Sequence, residues 1–362
     1  MYPTFFTNGQ AVKAKPFNSQ YAFTLRRLTV TCQYNNSSKM SSEEDKQSIK
    51  REVNWLCVIF NLQILISCIC GIHFIIYEAY FLTTIFSFVL ILLSMLGVTA
   101  GSHRLWAHHS YQATTGLRIF LMLCQTLVGH TSIYNWVRLH RVHHKYFKTE
   151  LDPFNSERGL LFSHVISNNF HLSPAQEKAL EEIDMSDIEN DKIVMFQKKF
   201  YWFLFVILTL LLPINAPVEY WDETILNSVF VVGWLRFGIT YHLSLLIHSA
   251  SNIFDYDTTE KNSYDSNLVF FISKSYWLSY HYLLPWDYQT SEYGKYGTDC
   301  TSKFIRVCAA LDLATDLKTV DSAMVQEALS VSVIEKKPIE ECIKNLAAKL
   351  PKQHYLTPSK FN

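Results

Sequence analysis

Residues 80–108 read YFLTTIFSFVLILLSMLGVTAGSHRLWAH. The stretch Tyr80–Gly101 carries no charge and is long enough to cross the hydrocarbon core of a bilayer, which takes about 20 apolar residues. It runs straight into His103-Arg104-Leu105-Trp106-Ala107-His108, so two imidazoles stand on the polar flank of a membrane segment. That junction points to an all-α membrane protein with a metal site against one face of the bilayer.

Three further segments match the first in length and apolar character: Asn54–Tyr77, Tyr201–Val218 and Thr224–Ile247. Short connections pair the four into two hairpins. Arg236, inside the last segment, must snorkel to the surface or meet a partner within the protein. A fifth apolar run, Ile119–Val137, is expected not to cross. If it did, the histidines before and after it would lie on opposite sides and could not share a metal, so it reads as an interfacial or re-entrant helix.

The second cluster is His140-Arg141-Val142-His143-His144. On a helix, positions i, i+3 and i+4 share a face, which predicts that His140, His143 and His144 converge. His103 and His108 are five apart, about 140° around an ideal helix, so they can share a metal only at a helix end or beside a second ion. A third cluster is broken. Where an HxxHH would complete the pattern, the chain reads Leu278-Ser279-Tyr280-His281-Tyr282. Imidazole suits zinc, copper, iron and nickel. A large all-imidazole site beside a membrane suits iron with dioxygen as oxidant, whereas zinc favours three or four ligands and hydrolysis. The isolated His73 and His164 are read as structural.

Basic residues orient the chain. The stretch between the second and third segments holds 11 Lys and Arg, whereas Glu219-Tyr220-Trp221-Asp222-Glu223 holds three acids and no base. The positive-inside rule therefore places all three clusters and both termini in the cytosol. The 362 residues have zero formal net charge, which argues against nucleic-acid binding. Charged residues are 18% and aromatics 15%, a membrane-protein balance. The eight cysteines show no CxxC spacing, and Cys57, Cys68 and Cys70 lie inside an apolar segment as small hydrophobes. Residues 1–52 form a polar tail without a cleavable apolar leader, with Met40 as an alternative start. Residues 53–320 form the main domain, and 321–362 a second tail in which Met324–Leu350 could be helical.

The order of these elements resembles the membrane acyl-CoA desaturases of the stearoyl-CoA type. The resemblance is carried by Thr99-Ala100-Gly101-Ser102 leading into the first cluster, and by Asn135-Trp136-Val137-Arg138 leading into the second. Asp152-Pro153, Arg158-Gly159, Phe162-Ser163-His164-Val165, Met195-Phe196-Gln197, Pro285-Trp286-Asp287-Tyr288 and Ser291-Glu292-Tyr293 extend it over roughly three quarters of the chain. It implies four transmembrane helices under a cytosolic helical cap, and a di-metal site of two irons held by nine histidines. It also implies a fatty acyl-CoA substrate, with electrons from cytochrome b5 and its reductase at the endoplasmic reticulum membrane.

Transferred residue by residue, the resemblance implies His103, His108, His140, His143, His144 and His281 as metal ligands. Three others are replaced, by Asn252, Leu278 and Tyr282. Leucine offers no lone pair, asparagine only a weak carbonyl, and tyrosine a phenolate that would alter the charge of the site. His248, one turn before Asn252, is a hypothetical substitute ligand. Other departures are Leu139, His171-Leu172 and Lys274-Ser275-Tyr276. Asn135 and Arg138 are expected to contact the CoA head group, and Trp136 to shape the site beside it. Two functions stay open: a desaturase introducing a double bond with dioxygen, and a non-catalytic paralogue that binds acyl lipid or regulates an active desaturase. A mononuclear metal protein or hydroxylase is a third.

Overall fold

The computed structural model describes residues 50–155, 158–249, 281, 285–289 and 299–319, the short stretches 4–7 and 10–13, and scattered positions between 327 and 346. Asn252, Lys274-Ser275-Tyr276, Leu278 and Tyr282 lie outside the described residues, as does most of the expected helix Met324–Leu350. The chain divides into two units, residues 42–319 with 355–362, and residues 1–41 with 320–354. In the smaller unit, Thr4–Thr7 pairs antiparallel with Gln10–Lys13, with Thr4 opposite Lys13.

The larger unit is helical. Four helices are long and apolar enough to cross a membrane: α1 (Trp55–Tyr77), α2 (Phe81–Ala107), then Lys192–Trp221 and Ile225–Ser249. Their outer surfaces are greasy: Leu56 is 77% exposed, Phe81 78% and Trp202 75%. Apolar area left in water forfeits roughly 25 cal/mol per Å², so a belt of this kind needs lipid against it. The helices outrun the expected segments because the chain stays helical where it leaves the apolar core. The third begins at Lys192, where the Asp191 carboxylate accepts from the N–H groups of Ile193 and Val194.

Between the hairpins lie α3 (Thr115–Thr126) and α4 (Ile133–Lys145). The apolar run that was expected not to cross is divided between them. The chain reverses at Gly129, whose φ of +73° is left-handed and whose missing Cβ would sit 2.6 Å from the Phe237 ring. Gly97 of α2 likewise lets the backbone of Gln125 in α3 approach too closely for any side chain. Completing the chain order are α5 (Pro174–Glu181), α6 (Lys192–Trp221), α7 (Ile225–Ser249) and α8 (Cys300–Ala310).

Buried polar groups tie α3 to the spans. Gln197 of α6 accepts from the Ile133 N–H at 2.9 Å and donates to Gln125 Oε1 at 2.6 Å and Thr126 Oγ1 at 3.0 Å. Arg236, fully buried, does not snorkel. Its guanidinium donates to the carbonyls of Val232, Leu127 and Thr209 at 2.7, 2.8 and 2.6 Å. At the far end, Glu223 accepts from Tyr80 N–H at 2.8 Å, Thr83 hydroxyl at 2.5 Å and Asn227 amide at 2.9 Å, linking the two hairpins. A cap of α4, α5 and α8 packs on the end of α2 through a core that includes Trp106, Trp136, Val137, Ile188, Val194 and Ile305. Gln112–Ala113 pairs with Ala314–Thr315 and brings the chain after α8 back beside α3.

Candidate metal centre

The last turns of α2, Gly97–Ala107, are wound as a π-helix, with bonds running five residues back. The His108 N–H accordingly reaches the His103 carbonyl at 3.2 Å. In that winding, residues five apart stand one above the other, and the two rings lie 4.9 Å apart at their centroids. From α4, His140 and His144 project onto the same point, one helical turn apart. His281 joins them from the other side.

The nitrogens converge tightly. His108 Nε2 lies 2.9 Å from His140 Nε2, His144 Nε2 lies 3.0 Å from His281 Nε2, and His103 Nε2 lies 3.1 Å from His281 Nε2. The ligand atoms of these five residues all fall within 4.8 Å of one another. A neutral imidazole nitrogen carries either one proton or one lone pair. His281 Nε2 therefore cannot satisfy two facing nitrogens with two separate linear bonds. A cation at the centre accepts all the lone pairs at once. The donor set contains no thiolate and no carboxylate, which suits a first-row metal that accepts imidazole, iron among them. Burial first, and then neighbouring imidazoles, push the pKa values of His108, His140 and His144 well below the ordinary 6.5. His281 is lowered by burial, then by His103 and Arg104. All four are neutral at physiological pH, the form that binds metal.

His143 is placed differently. Its Nδ1 pairs with the fully buried Asp152 carboxylate at 2.9 Å, and its ring stands 6.2 Å from His140 and 6.0 Å from His144. Positions i+3 and i+4 differ by about 100° around a helix, so His143 stands to one side of the point that His140 and His144 share. The Asp152 contact was not foreseen from sequence, although the Asp152-Pro153 pair nine residues on was its visible trace. His248, near the end of α7, stacks on Phe154 at 4.3 Å and lies 5.1 Å from Trp136 and 5.7 Å from His143. Both its ring nitrogens are buried, without a hydrogen-bond partner among the described residues.

Trp136 forms a wall of the nest. It stacks on His140 at 4.9 Å, and its indole N–H donates to Ser244 Oγ at 3.2 Å. Asn135 is exposed on the outer face of α4, and Arg138 donates to the Leu180 carbonyl of α5 at 3.0 Å. Arg104, also missed by sequence reasoning as a structural residue, is fully buried below the nest. It donates to the carbonyls of Tyr288 and Thr99, and its charge faces Asp299 at 3.6 Å. His164 bonds Ser249 Oγ at 2.9 Å, and His73 sits 3.9 Å from Glu78, neither in the nest.

No protein-family profile matches the chain. Whole-chain comparison is informative. An acyl-CoA Δ9 desaturase of Acheta domesticus is 38% identical over 79% of this chain and 80% of its own length. The chain belongs to the acyl-CoA desaturase family. An acyl-CoA Δ12 desaturase of the same cricket is 36% identical over 80% of this chain and 82% of its own, and human stearoyl-CoA desaturase 39% over 64% and 65%. The two cricket desaturases differ in bond position yet resemble this chain about equally, so overall identity does not assign a bond position here. Four apolar helices and a histidine nest at the ends of α2 and α4 are in keeping with that membership.

Proposed function

We propose that this chain acts on fatty acyl-CoA at a membrane, introducing a double bond into the acyl chain with dioxygen as oxidant and iron in the histidine nest. The observation that carries the reading is the convergence of five imidazoles, three of them buried, beside four apolar helices. When bound, iron would supply the oxidising power that no protein side chain offers. The chain's own residues would hold the ion, keep bulk water out and position the substrate. His103, His108, His140, His144 and His281 are the proposed ligands, with His143 and His248 beside them. Trp136 would close the nest on one side. Asn135 and Arg138, one turn apart on α4, would meet the CoA head group. Electrons would come from cytochrome b5 and its reductase. The basic stretch between the hairpins supports both termini and the nest in the cytosol, and the family resemblance points to the endoplasmic reticulum membrane.

A second reading is favoured by Asn252, Leu278 and Tyr282 standing where the family has ligands. It holds that the chain is a non-catalytic paralogue, binding acyl lipid or an active desaturase. Expression in yeast lacking its own desaturase separates the two. Growth without added oleate, with new monoenes in total fatty acids, supports catalysis. No growth, from protein shown to be abundant and monodisperse in detergent, supports the paralogue.

A further inference from the structure

We infer that this chain holds a single metal ion, in the five-histidine nest, and that the described residues offer no second site able to retain one. The inference deepens the proposed function and rests on its premise that the nest binds metal.

Distances separate one ion from two. Imidazole nitrogens bind zinc-sized ions at about 2.0–2.1 Å. Donors at right angles about one such ion stand about 3.0 Å apart, and opposite donors about 4.2 Å apart. The three closest nitrogen pairs in the nest are separated by 2.9, 3.0 and 3.1 Å, and the whole set spans no more than 4.8 Å. Paired ions sit about 3.5–4 Å apart, which would spread their outermost donors over roughly 8 Å. The closest pairs have the spacing of adjacent donors on one ion, and the whole set is far nearer the span of one coordination sphere than of two.

What remains for another ion is poor. Of the six histidines kept at family ligand positions, five are in the nest, which leaves His143. Its ring lies 5.7 Å from both Phe154 and His248, and its Nδ1 is engaged by Asp152 at 2.9 Å. Of the three replaced positions, Leu278 has no donor atom, and Asn252 and Tyr282 offer only an amide and a phenol. His248 brings one imidazole, stacked flat on Phe154. The Asp152 carboxylate is already taken up by His143 Nδ1 and the Phe154 N–H, and two imidazoles alone fall short of the three or four protein ligands that retain a first-row ion. The five-donor set is complete without the three replaced positions.

The test is a metal count on full-length protein, purified in detergent, loaded with ferrous iron without oxygen and desalted. Mass spectrometry of the metal should give one iron per chain. His140→Ala should bring the count near zero, and His143→Ala and His248→Ala should leave it at one. Electron paramagnetic resonance of the oxidised parent gives an answer independent of how variants fold. An isolated ferric ion is visible, whereas a coupled ferric pair is silent. Two irons per chain, a silent spectrum from iron-loaded protein, or loss of the ion in His143→Ala overturns the single-ion inference and leaves the proposed function standing. No retained iron in monodisperse parent overturns both.

Discussion

The backbone N–H of His108 donates to the carbonyl of His103, 3.2 Å away and five residues back. This one bond explains how two histidines on opposite sides of an ideal helix reach the same nest. Wide π-wound turns are uncommon and concentrate at functional sites, where they give up regular α-helical bonding for a specific side-chain placement. His109, the next residue, lies outside. Its φ is +51°, its ring is half exposed, and Nε2 meets Asp187 at 2.7 Å. His103→Ala and His108→Ala should each weaken metal retention by more than the roughly 10–100-fold that loss of an outer partner costs. His109→Ala should leave the metal content unchanged. Equal loss in all three variants would remove the distinction drawn from the π-winding.

Asp152 holds the His143 ring from the side away from Nε2. One of its oxygens accepts from His143 Nδ1 at 2.9 Å and the other from the Phe154 N–H at 3.0 Å. Asp152→Ala strands both donors in a dry interior, at about 1–3 kcal/mol each. The expected result is a clearly lower melting temperature with the same metal content per folded chain. A parallel fall in metal content would place His143 among the ligands of the retained ion.

The four spans were legible because an uncharged run of this length has few other places to go. Tyr80–Gly101 foretold the core of α2, and Asn54–Tyr77 matches α1 within one residue. The exclusion of Ile119–Val137 followed from topology, since clusters on either side of it had to meet. Side-chain aim was less legible. Ideal helical spacing groups His140, His143 and His144, but the ring of His143 turns to Asp152, a contact made through a loop that periodicity does not describe. The pairing of His103 with His108 depends on a change of helical pitch for which Gly97-Val98-Thr99-Ala100 carries no obvious signature. The role of Arg236 was half legible: its burial in a span demanded partners, but the carbonyls it meets come from helices that only the fold brings together.

Glu223 gives a pH dependence with a definite sign. Burial alone would raise its pKa, but hydrogen bonds from Thr83, the Tyr80 N–H, Asn227 and the Thr224 N–H outweigh burial and hold it below the ordinary 4.5. A carboxylate depressed in the folded state contributes stability above its unfolded pKa and loses it as pH falls through the folded value. Melting temperature should therefore fall as pH drops below about 4.5. Glu223→Gln should melt lower than the parent at neutral pH and show a shallower acid slope. An unchanged acid slope would assign the loss to other groups.

Arg236 caps the C-terminal end of α3. A helix that ends in a buried interior leaves carbonyls with no water to receive them, each costing about 1–3 kcal/mol if unmet. The guanidinium meets Leu127, the residue that closes α3, together with Thr209 of α6 and Val232 of its own helix. Its planar fork reaches three acceptors in three directions, which a lysine ammonium on a single stem does not reproduce. Arg236→Leu should lower the detergent melting temperature steeply, by an amount corresponding to at least about 3 kcal/mol. Arg236→Lys should recover only part of it. Because α3 and α4 are joined through the turn at Gly129, the Leu variant should also loosen His140 and His144, seen as faster iron release to a chelator below the melting transition. Melting and iron release indistinguishable from the parent in Arg236→Leu would mean that the end of α3 is held by Gln197 and Gly129 without the arginine.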